Sequence, residues 1–240
     1  YTLSPKLEQS LTAITRHLNA SGTWWTGVER IAIAKESRAA WGCGRCASAK
    51  TALSPNAVEG DHSANSNLQP EAIEACHRIT TDPGRLTKTW YEGLIGPEFT
   101  VGHYVELVSI VAQVTAVDTL CRGLGIDEIE LPEGEGDQPS MEVPSEAKIQ
   151  MAWVPTVSHK DATGALAEEW FPTGKKRFIP HVTQAMTYVT AEALNYKRNM
   201  GAFYLDTGRV ADPSSQMDTL GRNQAELLAA RVSALNECFY

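Results

Sequence analysis

The sequence has few basic residues and no run rich in Lys or Arg. Its 240 residues include 21 Lys and Arg against 29 Asp and Glu, a formal net charge of −8. Clustered positive charge is what attracts nucleic acids and anionic membranes, so both are poor candidates as partners. No uninterrupted apolar run reaches the roughly eighteen residues that a membrane-spanning helix needs. We therefore expect neither nucleic acid nor a membrane among its partners.

Cysteine is also scarce, with five in the whole chain. At this length they do not form the disulfide framework of a small secreted protein. Cys43 and Cys46 have the C-x-x-C spacing, whereas Cys76 and Cys121 lie inside apolar helical patterns typical of buried structural thiols. A working thiol pair in a reducing compartment fits this usage, which predicts a cytoplasmic protein.

The sequence lacks convincing strand alternation, and apolar residues recur instead at the three- and four-residue steps of helices. The predicted helices begin at Pro5 and Pro70 and cover 25–41, 43–53, 86–94, 103–124, 180–200 and 216–236. The Pro-, Gly- and acid-rich residues 131–150 indicate a linker. The sequence predicts an all-α protein with two helical bundle modules in tandem, residues 1–130 and 151–240.

Two cysteine-containing segments resemble each other. They read ERIAIAKESRAAWGCGRCASAK and QAELLAARVSALNECFY, and each has an Ala-rich amphipathic helix that ends shortly before a cysteine. Glu226 lies twelve residues before Cys238, which is about 18 Å along a straight helix. The two can cooperate only if the chain turns after Asn236 and the cysteine begins a new helix. A helix N-terminus would then stabilise the nucleophilic thiolate.

The second segment resembles the E-x11-C-x2-C-x3-H motif of the alkylhydroperoxidase D group within the carboxymuconolactone decarboxylase-like superfamily. Glu226 and Cys238 match its first two positions, and the chain ends before the third. The resemblance implies all-α architecture, homo-oligomers and thiol-based reduction of hydroperoxides. We assign no cofactor. It also implies that the second cysteine attacks the peroxide, the first resolves the sulfenic acid, and a Glu–His relay carries the proton.

By this resemblance Cys238 is the resolving thiol and Glu226 the relay acid. The attacking residue would be at position 241, beyond the last residue of the chain. Two explanations stay open. Position 241 is a selenocysteine, whose codon doubles as a stop codon, or the chain continues into a further tail.

The first segment resembles a divergent copy of the same motif. Cys43 and Cys46 keep the pair, but Lys50 stands where the motif has His. Ile31 stands where it has Glu, although Glu29 and Glu36 are near. Lys50 could lower a thiol pKa electrostatically but is a poor proton shuttle at neutral pH. We expect a redox pair with impaired activity. Reduced structural thiols or a metal half-site remain alternatives, although no second pair completes a four-cysteine zinc site.

Two Glu/His pairs at helical spacing offer another interpretation, a di-iron site of the bundle type. Its members would be Glu36, Glu74, His77, His103, Glu106 and Asp118. The second pair is reversed, and such pairs are common on solvated helices, so we assign no metal. His62 lies in a polar loop and could reach a pocket, although a surface role is expected.

The leading hypothesis is a thiol- or selenol-dependent peroxidase that reduces hydroperoxides with electrons from a dithiol reductant. A carboxymuconolactone decarboxylase-like lyase, in which cysteines would not matter, is one alternative. A non-catalytic helical scaffold with degenerate sites is the other. Fold resemblance cannot separate the three, because function belongs to the site.

Overall fold

The computed structural model describes residues 3–171, 184–204, 209, 212, 214–217 and 220–236. Its α-helices are α1 (Pro5–Asn19), α2 (Gly27–Ala40), α3 (Gly44–Thr51), α4 (Pro70–Thr81), α5 (Lys88–Leu94), α6 (Val101–Leu124), α7 (Thr190–Met200) and α8 (Arg222–Leu235). Short 3-10 turns cover Pro55–Ala57, Pro83–Arg85 and Gly201–Phe203, and a π-helical turn covers Leu166–Trp170. The prediction of an all-α protein is confirmed.

Strands are limited, in the part of the chain that is described, to two antiparallel pairs of two residues each. Lys148–Ile149 (β1) pairs with Pro155–Thr156 (β2), and Gln216–Met217 (β3) pairs with Leu220–Gly221 (β4). Among the described residues they form no larger sheet, so they do not alter the fold class.

The first helix begins where the sequence places its signals. The Ser4 side chain accepts a hydrogen bond from the Leu7 backbone N–H, and Pro5 is at an early position, where its missing N–H costs nothing. Ile14 and Leu18, four residues apart on one face, are buried against the rest of the bundle.

The core is formed by α2, α4 and α6, each packed against the other two. α6 contributes Leu107 and Ile110, both fully buried. Among the described residues, α6 alone is long and apolar enough to cross a membrane by length and composition, with mean hydropathy 1.4 over its best window. Because this value is an average over a window, it can be reached although acidic residues interrupt the apolar run. In this structure 67% of that window is buried, as in the central helix of a bundle.

The predicted linker packs against the first two helices. The backbone N–H of Glu135 donates to the carbonyl of Asn19 at 2.9 Å, and the Val28 N–H donates to the Glu135 carbonyl at 3.1 Å. Gly134 and Gly27 approach so closely that a Cβ on Gly134 would lie 2.1 Å from the Gly27 oxygen. Glycine at these positions is therefore required by the contact itself, and this segment is fixed to α1 and α2.

A buried ion network joins α7 to the N-terminal helices. The Arg30 guanidinium of α2 pairs with Glu106 of α6 and, at 2.9 Å, with Glu192 of α7. Glu192 also bonds to His17 of α1 and accepts from the Ser109 hydroxyl. Although burial alone would raise the pKa of Glu192, the charge of Arg30 lowers it well below the ordinary value.

Candidate functional site

The C-x-x-C pair lies at the beginning of α3. Cys43 is the N-terminal capping residue of this helix, and Cys46 lies in its first turn. The prediction that the pair begins a helix is confirmed. Both are free thiols, only 1% and 2% exposed, and their sulfur atoms lie within 4.8 Å of each other.

His62 contacts both thiols. Its Nδ1 atom is 3.6 Å from the Cys43 sulfur and 3.4 Å from the Cys46 sulfur, and its side chain is 6% exposed. The expected surface role for His62 is therefore wrong. The loop between α3 and α4 folds over the beginning of α3, and the Ser63 backbone N–H donates to the Cys43 sulfur at 3.4 Å.

His77, in the middle of α4, makes the second imidazole contact. Its Nδ1 atom is 3.2 Å from the Cys46 sulfur, and its Nε2 atom is 2.8 Å from a carboxylate oxygen of Glu36 on α2. Glu36 is fully buried and also accepts from the Asn65 backbone N–H and the Ser66 hydroxyl. One carboxylate thus orients His77 and holds the loop that carries His62.

Glu74 plays the corresponding part for His62. The His62 Nε2 atom is 2.8 Å from the Glu74 carboxylate, to which Arg45 and Trp90 also donate. Arg45 in addition lies against the His62 ring nitrogen. Each imidazole therefore has one nitrogen facing sulfur and the other held by a carboxylate.

We call this group the thiol–imidazole cluster. It consists of Cys43, Cys46, His62 and His77. Two helices and one loop contribute to it, and the rings of its two histidines are 4.2 Å apart between centroids.

The environment favours the thiolate form of both cysteines. Burial by itself would raise the pKa of Cys43, but hydrogen bonds from the Ser63 and Cys46 backbones and from His62 lower it to about 5. The pKa of Cys46 is also lowered, against the effect of burial, by its bonds to His62 and His77. Hydrogen bonds to the charged form are the physical cause in both cases.

The same interactions favour protonated imidazoles. Burial would lower the pKa of His62, but its bonds to Cys46 and Glu74 raise it to about 9. The pKa of Glu74 falls to about 2, despite burial, because His62 and other donors bind the carboxylate. The pKa of His77 is raised and that of Glu36 is lowered in the same manner. The site can therefore supply both thiolates and protons.

The di-iron hypothesis is wrong, because its carboxylates are distributed over separate ion pairs. Glu106 binds Arg30 in the buried network, and Asp118 accepts two hydrogen bonds from Arg38. His103 lies among aromatic rings at the beginning of α6. Glu36, Glu74 and His77 do meet, but at the thiol pair.

Lys50 is placed outside the cluster. Its side chain is half exposed, and its Nζ atom is 3.9 Å from an Asp82 carboxylate oxygen. The cationic groups next to the thiols are imidazoles that come from later in the chain.

The C-terminal candidates are described only in part. Glu226 on α8 is 47% exposed on its side chain and accepts hydrogen bonds from Arg222, at 2.6 Å, and from the Tyr204 hydroxyl. Cys238 lies outside the described residues.

The sequence assigned neither His62 nor Glu36 to the thiol pair. No local spacing could find them, because His62 is sixteen residues beyond Cys46 and Glu36 lies on the preceding helix. The Glu-x-x-His pattern at 74–77 was a partial signal, since it placed a carboxylate and an imidazole on one face of α4.

Comparison with models of known protein families, with curated proteins and with solved structures finds no match. Function must therefore be argued from the chemistry of the cluster.

Proposed function

We propose that this chain is a thiol-dependent oxidoreductase that reduces hydroperoxides at Cys43 and Cys46. The observation that carries the proposal is the pairing of each thiol with an imidazole whose other nitrogen is held by a buried or half-buried carboxylate. A nucleophile, an acid–base group and a residue that orients it are the parts that covalent catalysis requires.

Cys46 is the attacking residue in this proposal, because it contacts both imidazoles. Its thiolate attacks one oxygen of the hydroperoxide and the O–O bond breaks. The departing alkoxide takes a proton from the His77 imidazolium and leaves as an alcohol, and the cysteine becomes a sulfenic acid.

Cys43 resolves the sulfenic acid. Its thiolate attacks the Cys46 sulfur, and the displaced hydroxide leaves as water with a proton from His62. The product is a Cys43–Cys46 disulfide, which a dithiol reductant converts back to two thiols by exchange. The sum is one hydroperoxide and one dithiol converted to alcohol, water and disulfide.

Access to the thiols depends on the loop between α3 and α4. Both cysteines are almost completely buried, and His62 and Ser63 of this loop lie against the sulfur atoms. Glu36 holds this loop closed through Asn65 and Ser66. The proposed reaction therefore includes an opening of the loop that admits the hydroperoxide.

The tandem arrangement of two modules is also part of the proposal. Its support is a correspondence between α2 and α8, which are both fourteen residues long and both end three residues before a cysteine, Cys43 or Cys238. In this proposal Glu226 and Cys238 belong to a second, C-terminal site of the same kind. A longer protein that contains the whole E-x11-C-x2-C-x3-H motif after Glu226 would then show additional turnover, and Cys238→Ala would remove that addition.

The test is reduction of tert-butyl hydroperoxide by the present chain with dithiothreitol as reductant. Cys46→Ser should abolish turnover, because serine is not a comparable nucleophile. After one equivalent of hydroperoxide and without reductant, Cys43→Ser should retain a sulfenic acid on Cys46 that dimedone traps, whereas the wild-type protein should form the Cys43–Cys46 disulfide. Cys76→Ser is the matched control, since Cys76 is buried on α4 but faces the Ile33 carbonyl instead of the histidines.

Turnover that survives Cys46→Ser at the wild-type rate would overturn the proposal. No turnover by the folded wild-type protein with any of several alkyl hydroperoxides would overturn it as well.

A further inference from the structure

The thiol–imidazole cluster has the composition of a metal site as well as of a redox site. One ligand atom from each of its four side chains lies within 4.8 Å of the other three. Two sulfur and two imidazole nitrogen donors are a common ligand set of tetrahedral zinc, and two cysteines separated by two residues are its usual first half.

The distances fit this interpretation. With Zn–S bonds of about 2.3 Å and Zn–N bonds of about 2.0–2.1 Å, a tetrahedron has S···N edges of about 3.5 Å. Three S···N separations are 3.6 Å for Cys43–His62, 3.4 Å for Cys46–His62 and 3.2 Å for Cys46–His77. The donors need to move by only a fraction of an ångström along these edges.

The groups behind the ligands are a second, independent observation. Both histidines direct Nδ1 toward the sulfur atoms and hold Nε2 against a carboxylate, His62 against Glu74 and His77 against Glu36. A carboxylate on the far nitrogen fixes the tautomer and the ring orientation of a ligating histidine and is the usual partner of zinc-bound imidazole. Both the four inner atoms and the carboxylates behind the two histidines are thus arranged as in a zinc site.

We infer that the thiol–imidazole cluster of the reduced protein binds one Zn²⁺ ion through its four inner atoms. Thiolate and imidazole donors favour zinc over the oxygen-seeking Mg²⁺ and Ca²⁺. Two thiolates also neutralise the charge of the ion in a site that is nearly closed to water. This inference does not depend on the proposed peroxidase activity. Bound zinc and the Cys43–Cys46 disulfide would exclude each other, because zinc binds thiolates and the disulfide has none.

The experiment measures zinc retained by the reduced full chain after dialysis, together with the absorption spectrum after substitution with Co²⁺. We expect one Zn²⁺ per chain and the intense visible bands of tetrahedral cobalt with thiolate ligands. Cys43→Ser and His62→Ala should each lose this binding. Glu74→Gln should weaken it by about ten- to a hundredfold, as loss of a carboxylate behind a ligand does.

Cys76→Ser should retain one zinc per chain, because Cys76 is buried outside the cluster. Circular dichroism establishes that each variant is folded. If a ligand variant does not fold, the cobalt spectrum of the wild-type protein decides, because an octahedral spectrum contradicts a site made of these four donors.

Failure of the wild-type protein to retain zinc would overturn the inference, and so would full affinity in His62→Ala. Zinc binding, together with no hydroperoxide turnover by the protein after its zinc has been removed, would support this site and contradict the proposed function. Turnover without zinc binding would support the proposed function and overturn the inference of a zinc site.

Discussion

At the scale of single residues, neighbours decide what a buried cysteine can do. Cys46 and Cys76 are 2% and 0% exposed, so burial disfavours the thiolate of both. Two imidazoles nevertheless lower the pKa of Cys46, whereas burial and the charge of Glu36 raise that of Cys76. Cys46 therefore has the properties of a nucleophile or ligand, and Cys76 those of a structural thiol.

Glu36 is the residue whose replacement should show most directly how the cluster is held together. Glu36→Gln keeps the shape but removes the charge that accepts bonds from His77, Ser66 and the Asn65 backbone. Hydrogen bonds to charged groups contribute about 1.5–3 kcal/mol each. We expect urea unfolding to show a loss of about 2 kcal/mol or more, and hydrogen exchange to show faster exchange of the Asn65 amide.

The control is Lys35→Gln, one residue earlier on the exposed side of α2. Surface substitutions of this kind change stability by about 0.5 kcal/mol or less. An unchanged urea midpoint together with unchanged Asn65 exchange in Glu36→Gln would show that Glu36 does not hold the loop.

At the scale of secondary-structure elements, local signals set where the helices begin and end. α6 ends at Leu124 and is capped by Gly125, whose φ of 66° is left-handed and whose N–H donates to carbonyls of the last turn. A residue with a Cβ is strained in this conformation, and glycine is not.

Two glycines near the end of α6 therefore make a matched pair for substitution. Neither has an atom within 4 Å of an added Cβ, so packing does not distinguish them. Gly125→Ala should destabilise the protein by about 1–2 kcal/mol because of the left-handed conformation. Gly123→Ala, inside the helix, should instead stabilise it by about 0.5–1 kcal/mol. Thermal unfolding measures both, and shifts of the same sign would contradict this account of the helix end.

At the scale of the whole molecule, a few buried charges connect parts of the chain that are distant in sequence. Arg30 bonds to carboxylates 76 and 162 residues further along the chain, on α6 and α7. The network therefore ties α7 to α2, the helix whose Glu36 holds His77 of the thiol–imidazole cluster.

Arg30→Met should be strongly destabilising, because it leaves Glu106 and Glu192 buried without their shared cation. Removing one partner of a buried ion pair costs about 3–5 kcal/mol. Urea denaturation should show this loss. The control is Arg198→Met, which breaks an ion pair with Glu169 that is 57% and 42% exposed and should leave the midpoint unchanged. Similar midpoints for the two variants would show that the buried network contributes little.

The sequence by itself determined the fold class, the approximate helices, and the position of the C-x-x-C pair at a helix start. These features follow from local physics, namely apolar periodicity, the Ser4 cap, proline at helix starts, and glycine at the end of α6. Most boundaries differ by one or two residues, as for α2, which was predicted over 25–41 and runs from Gly27 to Ala40. Two predicted helices are wrong in their first part. The one predicted over 180–200 is not helical at 185–189, before α7 begins at Thr190, and the one predicted over 216–236 begins at Arg222, after the β3–β4 pair.

Only the tertiary structure decided the composition of the candidate site. The groups beside the thiols are His62 and His77, not Lys50. Glu74 and Glu36 bond to these histidines. The Pro/Gly-rich segment is hydrogen-bonded to α1 and α2. These contacts join residues far apart in the chain, so no local spacing encodes them. They form because α2, α4 and the loop above α3 bury polar groups together, and each buried group needs a hydrogen-bond partner that only the packed fold supplies.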